Sequence, residues 1–188
     1  MDVDSPDAIV RSRLDPGERV LWTGQPEARA YALTGAWFLI PFSVLWGGFA
    51  IFWEVSVIRS GAPIFFWLWG IPFILVGLYM IFGRIAVALR EARKTVYAVT
   101  DRRVLIRTGA FSSTWTEMAL DTLPSTTLSE GRAGLGTITF GPQPPYAVPP
   151  GWPTIGMWTR GPRFVAIRDA SRVLAVVRQA REAARPSR

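Results

Sequence analysis

The sequence predicts a chain in two parts: a helical hairpin able to cross a membrane, and a domain of antiparallel strands closed by one helix. Three observations predict it. Two long runs, at 31–53 and 61–83, contain no charged residue. From residue 95 the periodicity changes, and short β-rich runs follow one another. The last of these leads into a stretch whose apolar residues repeat at helical spacing.

Composition narrows the chemistry before any element is placed. Apolar residues make up 49% of the 188, ordinary for a globular chain, but they concentrate between 31 and 83. The chain has no cysteine and no histidine. That excludes zinc sites built on those ligands, disulfides, thiol nucleophiles and Ser-His triads. Imidazole is the commonest general base, so its absence counts against catalysis. The net charge is +7, and Lys94 is the only lysine among arginines. Such a balance suits an acidic partner, either nucleic acid or an anionic membrane surface.

Taken in order, residues 1–30 hold one strand signal, near 18–24, and no cleavable signal peptide. The run 31–53 follows. As a helix its 23 residues span about 34 Å, enough for a hydrocarbon core of about 30 Å. Residues 54–60 connect it to the second run, 61–83, so the two helices form an antiparallel hairpin. Pro41 and Pro72 sit inside the runs and predict kinks. Gly47, Gly48, Gly70 and Gly77 allow close helix approach, although glycine is also simply common in membrane helices. Trp53, Trp67 and Trp69 gather near the connection, and Tyr31, Trp37 and Tyr79 toward the other face, as two interfacial belts would.

Orientation follows from the cations. The connection carries only Arg59. Residues 84–103 carry Arg84, Arg90, Arg93, Lys94, Arg102 and Arg103, and the first 30 residues carry Arg11, Arg13, Arg19 and Arg29. Both termini are therefore expected in the cytoplasm and the 54–60 loop outside, in an inner (plasma) membrane crossed twice.

Beyond the hairpin, 84–94 reads as a juxtamembrane helix. Residues 95–100 and 103–108 read as a β-hairpin around Asp101 and Arg102, with Gly109 closing it. Residues 113–120 alternate, with Trp115, Glu117 and Ala119 opposite Thr114, Thr116 and Met118; either side suits a core. A weaker strand is expected at 123–129, a turn at 130–136 and a strand at 137–140. Residues 141–163 hold Pro142, Pro144, Pro145, Pro149, Pro150, Pro153 and Pro162 and read as a long loop, with a short strand near 154–158. Residues 163–168 are a last strand, Asp169 an N-cap, and 170–184 a helix with Val173, Val177, Ala180 and Ala184 on one face. A four-residue tail, 185–188, ends the chain.

Three passages in this order resemble a known family. They are ERVLWTGQP at 18–26, YAVTDRRVLIRTG at 97–109 and FVAIRD at 164–169. Together they resemble membrane-anchored proteins with a bacterial pleckstrin-homology (PH-like) domain, over roughly 16–184. The resemblance implies a PH-like β-roll of about seven antiparallel strands capped by a C-terminal α-helix over 95–184. The 18–24 strand is expected to join the sheet, because both lie on the same face of the membrane and Trp22 needs burial. It brings no catalytic residue, cofactor or metal, and no ligand. The long 141–163 loop departs from the family's usual compactness.

The functional expectation is a non-catalytic membrane-anchored interaction module. It would bind a protein partner, a second copy of itself or anionic lipid headgroups at the cytoplasmic face. An accessory subunit of a membrane transport or envelope-maintenance complex is the alternative, and a membrane enzyme the third. The candidate headgroup contacts are Arg84, Arg90, Arg93, Lys94, Arg102 and Arg103, whose bland reading is as topology signals alone. Tyr146, Trp152 and Trp158 are the candidate partner contacts of the loop. Gly131, Gly134 and Gly136 mimic a phosphate loop, but a strand rather than a helix follows them. Nucleic acid and small-molecule substrates are not expected. The aromatics Phe111 and Trp115 suit a core better than a base-stacking surface.

Overall fold

The structure is a computed structural model that describes residues 5–131, 134–142, 150–152 and 161–184, with the backbone alone at 36–39. Helix α1 (Pro6–Arg11) opens it, in a stretch where periodicity predicts only a strand. Ser5 caps it by accepting from the Ala8 amide at 3.3 Å. Strand β1 (Val20–Gly24) follows, then the short helix α2 (Ala28–Leu33).

The two apolar runs become α3 (Ala36–Arg59) and α4 (Ile64–Leu78). Both are long and apolar enough to cross a membrane, the second together with its continuation to Lys94. Their ends differ from the sequence reading. Gly35 adopts a left-handed φ of 74° and separates α2 from α3. Tyr31 therefore belongs to a domain helix and is buried there with Ala92, Val165 and Ala166. At the other end α3 continues through Glu54 to Arg59, so most of the expected loop is helical. The helices touch where the glycines allow it. A Cβ on Gly77 would lie 3.4 Å from the Gly47 Cα, and the Trp46 indole N–H donates to the Phe73 carbonyl at 3.3 Å. Gly48 faces open space instead.

A π-helical turn, Tyr79–Gly83, joins α4 to α5 (Arg84–Lys94). The domain strands are β2 (Val96–Thr100), β3 (Arg103–Thr108), β4 (Thr114–Ala119), β5 (Thr126–Glu130), β6 (Leu135–Phe140) and β7 (Arg163–Arg168). They form two antiparallel sheets, β1-β2-β3-β4 and β5-β6-β7. Helix α6 (Ala170–Ala184) closes them with Val173, Leu174, Val177 and Ala180. Those side chains meet Tyr97, Val99, Val104, Ile106, Ile138, Phe140 and Phe164 in the core. Each such Val, Leu, Ile or Phe contributes about 1.5–3 kcal/mol by leaving water. Strand β2 is buried on both faces, because α1 covers the outer side with Val10 against Val96, Ala98 and Leu105. Trp115 of β4 packs on that outer cluster and Met118 on the inner core, so both faces of the alternating strand find apolar contacts.

Two antiparallel sheets and a C-terminal helix fit a PH-like roll. Its first connection holds the hairpin. β1 leaves the sheet at Gly24, opposite Tyr97 near the start of β2, and everything between is α2, α3, α4 and α5. The β3–β4 turn lies at this same end, since Arg107 pairs with Val96 and Thr108 with Thr114.

Candidate interaction surface at the hairpin end of the roll

The three sequence passages interlock around a few polar atoms. The Thr100 hydroxyl accepts from the amides of Arg102 and Arg103, at 3.1 and 2.9 Å, which shapes the β2–β3 turn. The same hydroxyl donates to Glu18 Oε1 at 2.7 Å. Arg103 grips both Glu18 oxygens, Nε at 3.0 Å and Nη2 at 2.8 Å, and extends Nη1 to Glu117 at 2.7 Å. Asp15 adds a carboxylate 3.2 Å from Nη2. Burial alone would raise Glu18. The bonds from Arg103, from the Asp15 amide and from Thr100 outweigh it and hold the carboxyl below its ordinary value. The bond that Arg103 donates to Glu18, against the opposing effect of burial, in turn raises the Arg103 guanidinium.

The third passage closes the ring. Trp22 lies 5.6 Å from Phe164, and Tyr97 stacks on Phe164 at 4.7 Å. The Tyr97 hydroxyl accepts from the Val165 amide at 3.1 Å, and burial pushes its phenol up. Ala166 holds a left-handed φ of 52°, and its carbonyl accepts from the Glu27 amide at 2.8 Å. Residues that carry the likeness therefore carry the fold, tying β1 to both sheets.

The six candidate headgroup cations do not form one patch. Arg84 is 1% exposed. Its Nη1 donates to the Ala32 and Pro150 carbonyls at 3.3 and 3.4 Å, so it holds protein rather than facing outward. Arg102 and Arg103 sit at the far end of β2, roughly 16 Å along the strand from α5. Arg102 is exposed there, and Arg103 is committed to its carboxylates. Only Arg90, Arg93 and Lys94 lie together, at the end of α5, with Arg90 and Arg93 exposed and Lys94 half-buried. Of the three loop aromatics, Tyr146 and Trp158 lie outside the described residues, as does the short strand expected near 154–158. Trp152 is half-buried and meets Tyr79 edge-on at 6.5 Å.

A polar cluster that the sequence does not suggest joins that loop to the Tyr79–Gly83 turn and to α5. The Tyr79 hydroxyl donates to the Gly151 carbonyl at 2.6 Å. Glu91 receives the Tyr31 hydroxyl at 3.1 Å and the Gly151 amide at 3.3 Å. Glycine is required at 151: its φ is +82°, and a Cβ would lie 2.2 Å from the Arg84 carbonyl oxygen. The available signal was helical spacing. Arg84, Ala88, Glu91 and Ala92 share one face of α5, so two charged residues mark a face otherwise built for burial. Among the described residues no cluster of three or more Asp or Glu side chains is arranged to hold a metal ion.

Fold and site together define a PH-like roll whose open end is built around the base of a helical hairpin. The chain belongs to the bacterial PH domain family, whose profile matches residues 36–181. It is 26% identical over 189 aligned positions to a Rhodobacter capsulatus protein described as "Uncharacterized 23.7 kDa protein in puhA 5'region". That alignment covers 95% of this chain and 86% of the relative. No solved structure matches the chain.

Proposed function

We propose that the chain is a non-catalytic interaction module held at the inner face of the cell membrane by its hairpin, with the roll and both termini in the cytoplasm. The observation that carries this reading is the place of the hairpin. It leaves the roll after β1 and returns before β2, and α3 and α4 pack on each other while exposing large apolar side chains all around. Leu45 is 73% exposed and Phe52 70%, with Ile64 at 66% and Phe65 at 63%. In water each would forfeit the burial energy of a core residue; in lipid none does. The cation excess on the roll side and the lone Arg59 at the other end support the orientation. The exposed cations of α5 then lie beside an anionic leaflet, which suits headgroup contact as well as a protein partner or a second copy of the chain.

One observation favours the alternative in which the hairpin also packs against another membrane protein of a transport or envelope-maintenance complex. Glu54 turns its carboxylate onto Gly70 so closely that no Cβ would fit there, and its Oε2 is buried without a hydrogen-bond partner among the described residues. Ionisable groups in such helices usually face protein or a polar path.

The absence of native cysteine makes the topology directly testable. In intact cells an impermeant maleimide is expected to label Ser60→Cys, and to label Asp121→Cys only after the membrane is opened. Labelling of Asp121→Cys in intact cells would overturn the orientation. A discrete large species on native gels after mild solubilisation would favour the complex. Binding of the purified protein as a single chain to anionic vesicles would favour headgroup recognition.

A further inference from the structure

The β3–β4 turn, residues 109–113, presents Phe111 at 78% exposure, outside the core where the sequence suggests it belongs. The turn is held rather than loose. Gly109 takes a φ of +131°, and a Cβ there would lie 1.7 Å from the Ser112 carbonyl oxygen, so glycine is obligatory. Ala110 is buried, and its carbonyl accepts from Arg90 Nε at 3.1 Å. On the other side the Arg107 guanidinium donates to Ser113 Oγ at 3.0 Å. Phe111 thus projects from a braced turn between two arginines, and the Arg90 guanidinium lies over its ring at 5.4 Å. A single exposed aromatic is common on a water-facing surface, but one braced outward beside an arginine still forgoes the burial energy of its ring unless something covers it.

The neighbouring helix says what does. Helix α5 continues the second apolar helix, and Arg90 stands six residues after Arg84, about 9 Å further along the axis. An arginine side chain at that height reaches the headgroup layer, which adds roughly 5–8 Å outside the hydrocarbon. We propose that this turn is a second membrane contact, in which Phe111 enters the interfacial layer of the anionic leaflet while Arg90 meets its phosphates. An apolar ring beside a cation matches a surface that is apolar below and anionic above. The contact would fix the roll's tilt on its hairpin. It rests on the membrane reading above.

Full-length protein reconstituted in vesicles tests it, with an environment-sensitive fluorophore on single cysteines. The labels go at Ser112→Cys within the turn, at Asp121→Cys at the far end of the roll, and at Leu45→Cys within the hairpin. Phosphatidylcholine vesicles are compared with vesicles that also contain phosphatidylglycerol, each carrying a shallow or a deep lipid-borne quencher. The expected result is deep quenching at 45 and, in the anionic vesicles, shallow quenching with a blue shift at 112 and neither at 121. Arg90→Gln is expected to lower the ratio of docked to undocked turn roughly fivefold, the effect of losing one cation near such a leaflet. Phe111→Ser leaves the Arg90–Ala110 bond in place and is expected to lower that ratio as well. A label at 112 that behaves like the one at 121 while the label at 45 is quenched would overturn the proposal and leave the anchor standing. Quenching at 112 that ignores both lipid charge and Arg90→Gln would overturn the anionic assignment. No quenching at 45 would overturn the membrane reading and this contact with it.

Discussion

At Thr100 one hydroxyl shapes the β2–β3 turn and reaches across to Glu18, so a residue of the N-terminal segment is locked to a turn 82 positions later. Glu18 is buried, and removing its charge strands part of the Arg103 guanidinium. Glu18→Gln is expected to lower unfolding stability by about 2 kcal/mol, the scale of a lost charge-assisted bond, measured by denaturant melts. The pH dependence follows in sign. The folded carboxyl titrates below its ordinary value of 4.5, so its contribution is complete above that pH and is lost as pH falls through the lower folded value. The native chain should therefore lose stability in that acid window more steeply than Glu18→Gln. Parallel profiles would show that Glu18 does not act through its charge. The pairing itself was only half legible: the return of both segments to one face and the need to bury Trp22 pointed to β1 joining the sheet, but nothing in a linear sequence says which carboxylate an arginine will find. Arg84 shows the limit more plainly. Its partners are the carbonyls of Ala32 and Pro150, and backbone acceptors leave no trace in composition.

Among the elements, β2, β3 and β7 were legible to within a residue or two as short β-rich runs bounded by turn residues, because the same apolar side chains fill the core. Strand β6 was legible only from residue 137, since Gly134 and Gly136 read as turn. Gly136 is nevertheless in the strand for a packing reason. A Cβ there would lie 2.5 Å from Ala170 Cβ and 3.1 Å from the Ser129 carbonyl, where α6 lies against the sheet. Gly136→Ala is expected to cost about 2 kcal/mol by overpacking. Combining it with Ala170→Gly should cost less than the sum of the two single changes by about 1 kcal/mol, because the second change reopens the contact. Strict additivity in thermal or denaturant melts would place the strain elsewhere. The hairpin shows the same mixture. Its apolar length was plain, but the break at Gly35 and the continuation of α3 past Glu54 depend on packing and capping rather than on hydropathy.

For the whole molecule, the hairpin is an insertion in the first connection of a roll whose two sheets and α6 make their core without it. Among the described residues, the apolar cluster of Tyr97, Phe140, Phe164, Val173 and Val177 includes none of α3 or α4. The helices that flank the insertion, α2 and α5, belong to the domain instead, through Tyr31, Ala92 and the Glu91 cluster. Their ends are close, since the Arg84 side chain touches the Ala32 carbonyl. A linker of about six glycine and serine residues, reaching roughly 20 Å, is therefore long enough to replace residues 35–83. The shortened chain is expected to be soluble without detergent and to unfold in one cooperative step. The Trp22 and Tyr97 packing on Phe164 should persist in near-ultraviolet dichroism. Only residues 150–152 should loosen, because Tyr79, which binds the Gly151 carbonyl and packs on Trp152, is removed with the insertion. A shortened chain that aggregates or melts without cooperativity would show that the hairpin supports the roll as well as carrying it.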